Sequence, residues 1–551
     1  MRRPLVVVAA VAVVTVAAGG VFGYAFLLNG SATPTTAMMA PRFVDETATA
    51  GVDLTYDGGV AYSVGGGVAA FDCNDDGRPD LFVPGGETSA AALYGNESPT
   101  GGALKFTRLA ATGAEVTHAL GAYPIDFDGD GIVDLAVLRV GGLSLLRGTG
   151  NCHFTEAGAS LGVADSGYDT AFSAKWDLGA KLPTLAIGRY RKVDAGGNLT
   201  LDCDDNLLFR PNVDGTSYAP AITLSPGFCS LSMLFDDWDR SGRRDLRVTN
   251  DHNYYAEGSD QLWRVAPGVD PTLYTADNGW VALQVDGMGI GTYDVTGDGY
   301  PDYYITSQGD NKLQTLTSGA SQPMYRDVAG KRGVTAARPF TGGDVRPSTA
   351  WHAEFEDVNN DGFIDLYVAK GNVSEQPDYA TRDPSDLFIG QADGTFQEGA
   401  DAAGILNFAR GRGAALADFN LDGLPDLVEC NYGAPTKVWR NVGSGDASKA
   451  VSEGHWLDVR LSDLGTNRNA IGAWVEVQAG DATLRREINI GGGHVGGQLG
   501  WVHFGLGPAA SAKVRVIWPD GTQGAWASVS ANAFYEIRRG VSEPSLWQPP
   551  T

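Results

Sequence analysis

Six stretches of this chain set oxygen-bearing side chains at alternate positions around a glycine, the spacing by which a short loop can wrap a hard divalent cation. Each reads Asp-x-(Asn/Asp/Thr)-x-(Asp/Ser)-Gly-x-x-Asp. The candidate ligands are Asp72, Asn74, Asp76 and Asp80; Asp126, Asp128, Asp130 and Asp134; Asp237, Asp239, Ser241 and Asp245; Asp294, Thr296, Asp298 and Asp302; Asp357, Asn359, Asp361 and Asp365; and Asp418, Asn420, Asp422 and Asp426. A backbone carbonyl at the seventh position adds another oxygen, and the glycine at the sixth permits the turn. Calcium is expected rather than magnesium, because a cage of protein oxygens suits calcium while magnesium keeps several of its waters. About six structural sites follow from the count of loops. Ser241 and Thr296 lower the ligand charge, so their loops are expected to be weaker than the four-carboxylate loop of Asp126.

An EF-hand would use the same early positions but needs a bidentate glutamate at the twelfth. Val83, Val137, Val248, Ile305 and Val368 stand there, with Glu429 only in the sixth copy. Pro79, Pro301 and Pro425 also oppose a helix running through the loop. These loops join strands, and the ninth-position aspartate is expected to close the cage.

No other chemistry rises to that level. The 7 histidines are scattered, with no His-x-His or His-Glu-x-x-His spacing, and no Gly-x-Ser-x-Gly or Walker loop occurs. His494, in the glycine run Gly491 to Gly493, could serve as a ligand or acid-base group but is expected to be a turn residue of the C-terminal module. His503 alternates with Val502 and Phe504 and is expected to face solvent from a strand. Gly65 to Gly67 and Gly491 to Gly493 read as turns and close backbone approaches rather than phosphate cradles. No catalytic or organic-cofactor residues are assigned.

The elements that must hold the aspartate loops recur with them. First aspartates follow at similar intervals except for the double gap from Asp126 to Asp237. Trp176 to Leu185 fills that gap with a copy that keeps Asp177 and has lost the other ligands. Each loop follows a strand of small residues, as in Gly67 to Phe71 or Gly413 to Ala417, and precedes an apolar one, as in Leu81 to Val83 or Leu366 to Val368. A third and a fourth short strand complete each unit, which is the pattern of a propeller blade. The last unit lacks its fourth strand, and Phe43 to Val52 supplies a matching one at the front. The fold class expected is therefore all-β: a seven-bladed propeller over residues 43–441 whose first strand completes the blade of Asp418. Trp238, Trp263 and Trp351 are expected in core or rim packing rather than on a glycan-stacking platform.

Beyond a linker at 442–454, alternating strands such as His455 to Leu461, Ile471 to Val477 and Val514 to Pro519 predict a small β-sandwich over 455–541, followed by a tail at 542–551. The aspartate loops set between Gly-Val-Ala-x-Phe and Leu-x-Val strands resemble the FG-GAP or VCBS repeats of integrin α-subunit propellers. Asp237 to Asp245 with Asn250 and Asp251 is most similar to the cartilage acidic protein (CRTAC) family. Asn467 to Ala473, Gly491 to His494, Phe504 to Gly507 and Trp518 to Gly521 resemble the ASPIC/UnbV domain that follows such propellers.

Composition and address agree with an exported β protein. The chain has 551 residues, 75 of them glycine, 43% hydrophobic content and a formal charge of −26, which disfavours nucleic acid and anionic lipid as partners. Arg2 and Arg3 precede an uncharged apolar stretch from Leu5 to Leu28. That stretch is long enough to span a bilayer, and is expected to be a signal anchor with a cytoplasmic N-terminus, or a cleaved signal peptide that would leave the body secreted. Residues 29–42 read as a linker to an extracytoplasmic body. Among 5 cysteines, Cys203 and Cys229 are the expected disulfide. The function expected is a membrane-tethered binding module for a protein or glycan; the alternative is an exported enzyme or metal-cofactor protein with a site at the ring centre or in the C-terminal domain.

Overall fold

The computed structural model describes residues 40–549 apart from 195, 197, 252–257, 318, 337–345 and 374–375. The apolar stretch from Leu5 to Leu28 lies outside the described residues; among those described, no helix is long and apolar enough to cross a membrane.

Residues 42–443 form successive antiparallel sheets, each opening with an inner strand that runs into an aspartate loop. The inner strands are Ala69–Phe71, Ala119–Ile125, Asp169–Lys175, Ser230–Asp236, Gly287–Tyr293, Ala350–Glu356 and Gly411–Ala417. Each pairs with a strand that begins at, or in line with, the closing aspartate, such as Asp80–Val83, Asp134–Arg139 and Asp302–Ser307. Two outer strands follow in every case. Neighbouring inner strands lie side by side, and the last returns to the first, so the sheets stand around one axis in an all-β, propeller-type ring. Arg42–Asp45 pairs with Lys437–Gly443, Phe43 opposite Asn441 and Val44 opposite Arg440. Start and end of the ring are thereby joined through backbone hydrogen bonds, which hides a strand edge that would otherwise be open.

The C-terminal domain packs two four-stranded sheets face to face. One orders Val502–Gly507, His455–Ser462, Ala533–Arg538 and Ser545–Trp547; the other orders Ala482–Glu487, Trp474–Ala479, Ser511–Ile517 and Ala527–Ser530. Leu457, Val459, Val475, Val477, Phe504, Val514 and Val516 fill the space between them, as the alternation in their strands requires. The expected tail contributes a strand, because Trp547 packs on Trp501 and Phe534. The stretch expected as a linker is tied back on the ring: Val451 N donates to Val442 O at 3.0 Å, and Ser444 N donates to Val451 O at 3.0 Å.

Two disulfides join parts of the ring, Cys203–Cys229 as expected and Cys73–Cys152, while Cys430 is a buried thiol. Trp238, Trp263 and Trp351 are buried.

Candidate metal loops and the domain seated on them

All six loops share one backbone form. The sixth-position glycines, from Gly77 to Gly423, have φ between 83° and 92°, and the fourth positions are left-handed too: Asp75 at 61°, Gly129 at 73°, Arg240 at 55°, Gly297 at 69°, Asn360 at 63° and Leu421 at 56°. Oδ2 of the first aspartate accepts the amide of that glycine, at 2.7 Å for Asp72, 3.0 Å for Asp126, 2.9 Å for Asp237, 3.0 Å for Asp294, 2.8 Å for Asp357 and 2.7 Å for Asp418. Its Oδ1 is thereby turned toward the inside of the loop. The closing aspartate sits at the head of the second strand and ties its neighbours. Asp80 accepts Cys73 N and Asn96 N, Asp134 accepts Phe127 N and Gly148 N, Asp365 accepts Val358 N and Gly390 N, and Asp426 accepts Phe419 N and Asn441 N. One carboxylate thus links its loop to the third strand of its own sheet. This structural duty stands beside any duty to a metal, since each oxygen keeps a second lone pair.

The donor sets of the Asp126 and Asp294 loops fit a hard cation. In the Asp126 loop, carboxylate oxygens of Asp126, Asp128 and Asp130 lie within 4.8 Å of one another. In the Asp294 loop, Asp294 Oδ1, Thr296 Oγ1 and Asp302 Oδ1 are buried without a hydrogen-bond partner, and Asn420 Oδ1 in the sixth loop is likewise unpaired. Buried acceptors are seldom left unmade, so three at ligand positions one, three and nine of a single loop define a place for a positive charge. Burial, added to by neighbouring carboxylates, raises Asp80 and Asp134 to about 8 and Asp302 to about 7. A dication would hold these groups ionised. In the Asp72 and Asp357 loops, Asp76 N and Asp361 N donate to Oδ1 of the first aspartate, and Asn74 and Asn359 donate through Nδ2 to Asp76 Oδ2 and Asp361 Oδ2.

The degenerate repeat answers its charge differently. Asp177 is met by the ammonium of Lys175 at 3.2 Å, and Thr184 takes the place of a closing aspartate, its hydroxyl donating to Asp177 Oδ2 at 3.4 Å. Lys175 is 3% exposed and its Nζ also donates to Val265 O at 2.6 Å.

The C-terminal domain is seated on the loop side of the ring. Arg468 Nε donates to Gly129 O, Thr466 Oγ1 to Ala180 O and Trp501 Nε1 to Gly77 O. Arg485 pairs with Asp294 Oδ2 at 3.1 Å, and Arg486 with Glu356 at 2.6 Å. The fourth loop position is the contact point in several copies. Arg240 lies 4.0 Å over the Trp474 ring, Leu421 packs with Trp456 and Phe534, and Asn360 Oδ1 meets His503 Nε2 at 2.7 Å. Left-handed backbone is costly for Arg and Leu, and these contacts explain why such residues stand there. Sequence reasoning missed this row, because only Asp75, Gly129, Gly297 and Asn360 are of types that favour the conformation.

Two histidine expectations are corrected. His503 does not face solvent: it is 6% exposed, held between Asp458 at 3.1 Å and Asn360, because its strand lies against the ring. Asp458 supports its protonated form, and its pKa is raised although burial opposes this. His494 is no turn residue of the sandwich. Its segment leaves the domain and enters the ring axis. Ile490 bridges Ala174, Gly491 bridges Leu234, Gly493 bridges Ile290, and Gln498–Leu499 pairs in parallel with Ala70 and Phe71. Gly491, Gly492 and Gly493 have φ of 130°, 69° and 56°, and a Cβ on Gly491 would meet Met233 O at 2.5 Å. Here the glycines serve close backbone approach, as expected of that run. His494 is fully enclosed beside Trp351, and burial lowers its pKa well below the usual range.

Beside this plug lies a polar chamber of about 200 Å³, lined by His352, Glu354, Arg486, Asn489 and Gln498 among others. Gln498 Nε2 donates to Glu354, and His352 Nε2 lies 3.2 Å from the same carboxylate. Arg486 Nε and Asn489 Nδ2 on its wall are buried without a hydrogen-bond partner, so the chamber is only partly paired internally.

Comparisons with known proteins match this anatomy. Residues 72–137 and 357–429 match the family model described as FG-GAP-like repeat, and residues 463–544 match that described as ASPIC and UnbV. Cartilage acidic protein 1 of Mus musculus is 28% identical over 230 residues, covering 37% of this chain and 31% of that protein; the Homo sapiens protein is 26% identical over 227 residues, covering 37% and 30%. The chain thus spans about a third of the length of these relatives. Among solved structures, the Dos1 propeller aligns at 10% identity and TM-score 0.34 over 76% of this chain and 97% of that one. The extracellular domain of the putative one component system BT4673 from B. thetaiotaomicron aligns at 8% and 0.38 over 90% and 58%. The repeats, the domain that follows them and the similarity to cartilage acidic protein 1 together support a CRTAC-like family for this chain.

Proposed function

We propose that the chain is an exported, seven-bladed propeller, stabilised by calcium in its aspartate loops, that recognises a protein or glycan through the ring face opposite those loops. One observation carries the reading. The C-terminal domain covers the loop side and fills the axis with residues 490–499, so the far face is the open one. That face bears the connections after each second strand and before each inner strand. Among them are Val60, 71% exposed, and Leu201, 70% exposed, apolar side chains that a bound ligand would cover. The two disulfides fit an oxidising compartment, and Leu5 to Leu28 would tether the body to the membrane. A catalytic reading centred on the axis or on His494 draws less support, because that histidine is enclosed by Trp351 and backbone.

The test is a glycan array and a cell-surface pull-down with the full chain, repeated with Val60→Asp and Leu201→Asp. Loss of the captured ligand in either variant, with an unchanged melting temperature, is the expected outcome. Binding retained in both and abolished by substitutions on the outer sandwich surface would contradict it.

A further inference from the structure

The Asp237 loop has the backbone of a metal site and a different electrostatic content. Its nine residues, Asp237 to Asp245, carry three aspartates and three arginines, Arg240, Arg243 and Arg244. The Asp126 and Asp294 loops contain no basic residue among their nine. Arg243 occupies the seventh position, where a metal loop contributes only its carbonyl. Here the side chain folds back across the loop: Nη2 lies 3.1 Å from Asp239 Oδ2, and Nε lies 3.1 Å from Asp245 Oδ2. One guanidinium therefore joins ligand positions three and nine. Arg78, at the same seventh position of the Asp72 loop, is turned outward instead, toward Ser98 O at 3.0 Å and Thr100 Oγ1 at 3.3 Å. Arg147 reaches only Asp128 in the Asp126 loop, and Arg485 takes only Oδ2 of Asp294, leaving Oδ1 unpaired.

The closing carboxylate is also spoken for. Asp245 Oδ2 accepts Trp238 Nε1 at 3.0 Å and the Tyr274 hydroxyl at 2.8 Å as well as Arg243, and Oδ1 accepts Val265 N at 3.3 Å. These donors use the lone pairs that other closing aspartates keep free. Asp237 Oδ1, the Ser241 hydroxyl, the Arg243 carbonyl and Asp239 Oδ1, which already accepts Ser241 N, remain, fewer than the about 6–8 oxygens calcium takes. The other two arginines face the C-terminal domain. Arg240 pairs with Glu476 at 2.9 Å, and Arg244 pairs with Glu487 at 3.1 Å while donating to Gly472 O.

We propose that the Asp237 loop takes no metal: the Arg243 guanidinium is its resident cation, and the loop is a calcium-independent anchor for the C-terminal domain. The contrast with the other loops rests on the calcium reading above; the role of Arg243 does not. The test counts bound calcium per full chain by elemental analysis after dialysis against buffered calcium. Asp294→Ala should lower the count by one, while Asp239→Ala and the milder Ser241→Ala should leave it at the wild-type value. Loss of one calcium in either of the latter overturns the proposal. In parallel, Arg243→Ala and Arg243→Lys are melted in excess chelator. A fall of several degrees for Arg243→Ala, partly rescued in Arg243→Lys, is expected; Arg243→Ala melting with the wild type overturns the proposal. If the wild-type chain holds no calcium, the calcium reading fails, and the chelator melts alone decide for or against Arg243.

Discussion

The Asp294 and Asp237 loops have the same turn, the same amide from glycine to the first aspartate, and opposite answers to their own charge. In the first, Asp294 Oδ1, Thr296 Oγ1 and Asp302 Oδ1 are each buried without a partner, and burial raises Asp302 to about 7. In the second, Arg243 sits across Asp239 and Asp245, and Trp238 and Tyr274 complete the closing carboxylate. The Asp177 repeat is a third solution, with Lys175 in contact with a lone aspartate. What the turn requires is positive charge near its carboxylates. An ion is one source, and a side chain anchored in the same sheet or loop is another.

The largest expected effect tests the self-sufficient loop. Asp245→Asn leaves Arg243 without its main partner, and removing one member of a buried pair costs 3–5 kcal/mol. Arg243 keeps 29% exposure, so about 3 kcal/mol is expected, equal in calcium and in chelator by denaturant titration. A loss seen only in calcium would erase the distinction between the two loops. Asp302→Asn should behave in the opposite way. In calcium at a hundred times Kd it forfeits about 2.7 kcal/mol of ligand stabilisation. In chelator it removes an uncompensated buried carboxylate, so the variant should be no less stable than the wild type. Equal losses in both conditions would show that Asp302 acts only through Thr296 N and its strand. The smallest effect falls on the degenerate repeat. Lys175→Met fills the same space and gives up the ion pair and the bond to Val265 O, for about 1 kcal/mol independent of calcium.

The ring was readable because its information is local and periodic. Small inner strands, aspartate turns and apolar second strands recur within each unit, and the unmatched strand at Phe43 pointed to its partner near Asn441. The loops were readable as ligand sets for the same reason. The seating of the C-terminal domain was not. Ile490 to Leu499 reaches the axis through contacts more than two hundred residues away in sequence, and three glycines in a row look alike in a hairpin and in a plug. His503 alternates as a solvent-facing residue would, and only the neighbouring loop at Asn360 makes its position buried. Arg243 was visible as a charge. Its position is assigned by its carbonyl in a metal loop, which draws attention from the side chain that replaces the ion.

The most direct measurement is the melting temperature of the full chain in excess chelator, followed by back-titration with calcium, at pH 5 and at pH 8. Without metal, the carboxyls of Asp80 and Asp134, raised to about 8 from an ordinary 3.8, hold protons in the folded chain that they release on unfolding. The folded state thus binds more protons between those two values, and metal-free stability should fall as pH rises from about 4 to about 8. Calcium should restore the melt at both pH values, with the larger gain at pH 8. A melting temperature that does not respond to chelator or to added calcium at pH 8 would contradict the account that these loops are held by a metal ion.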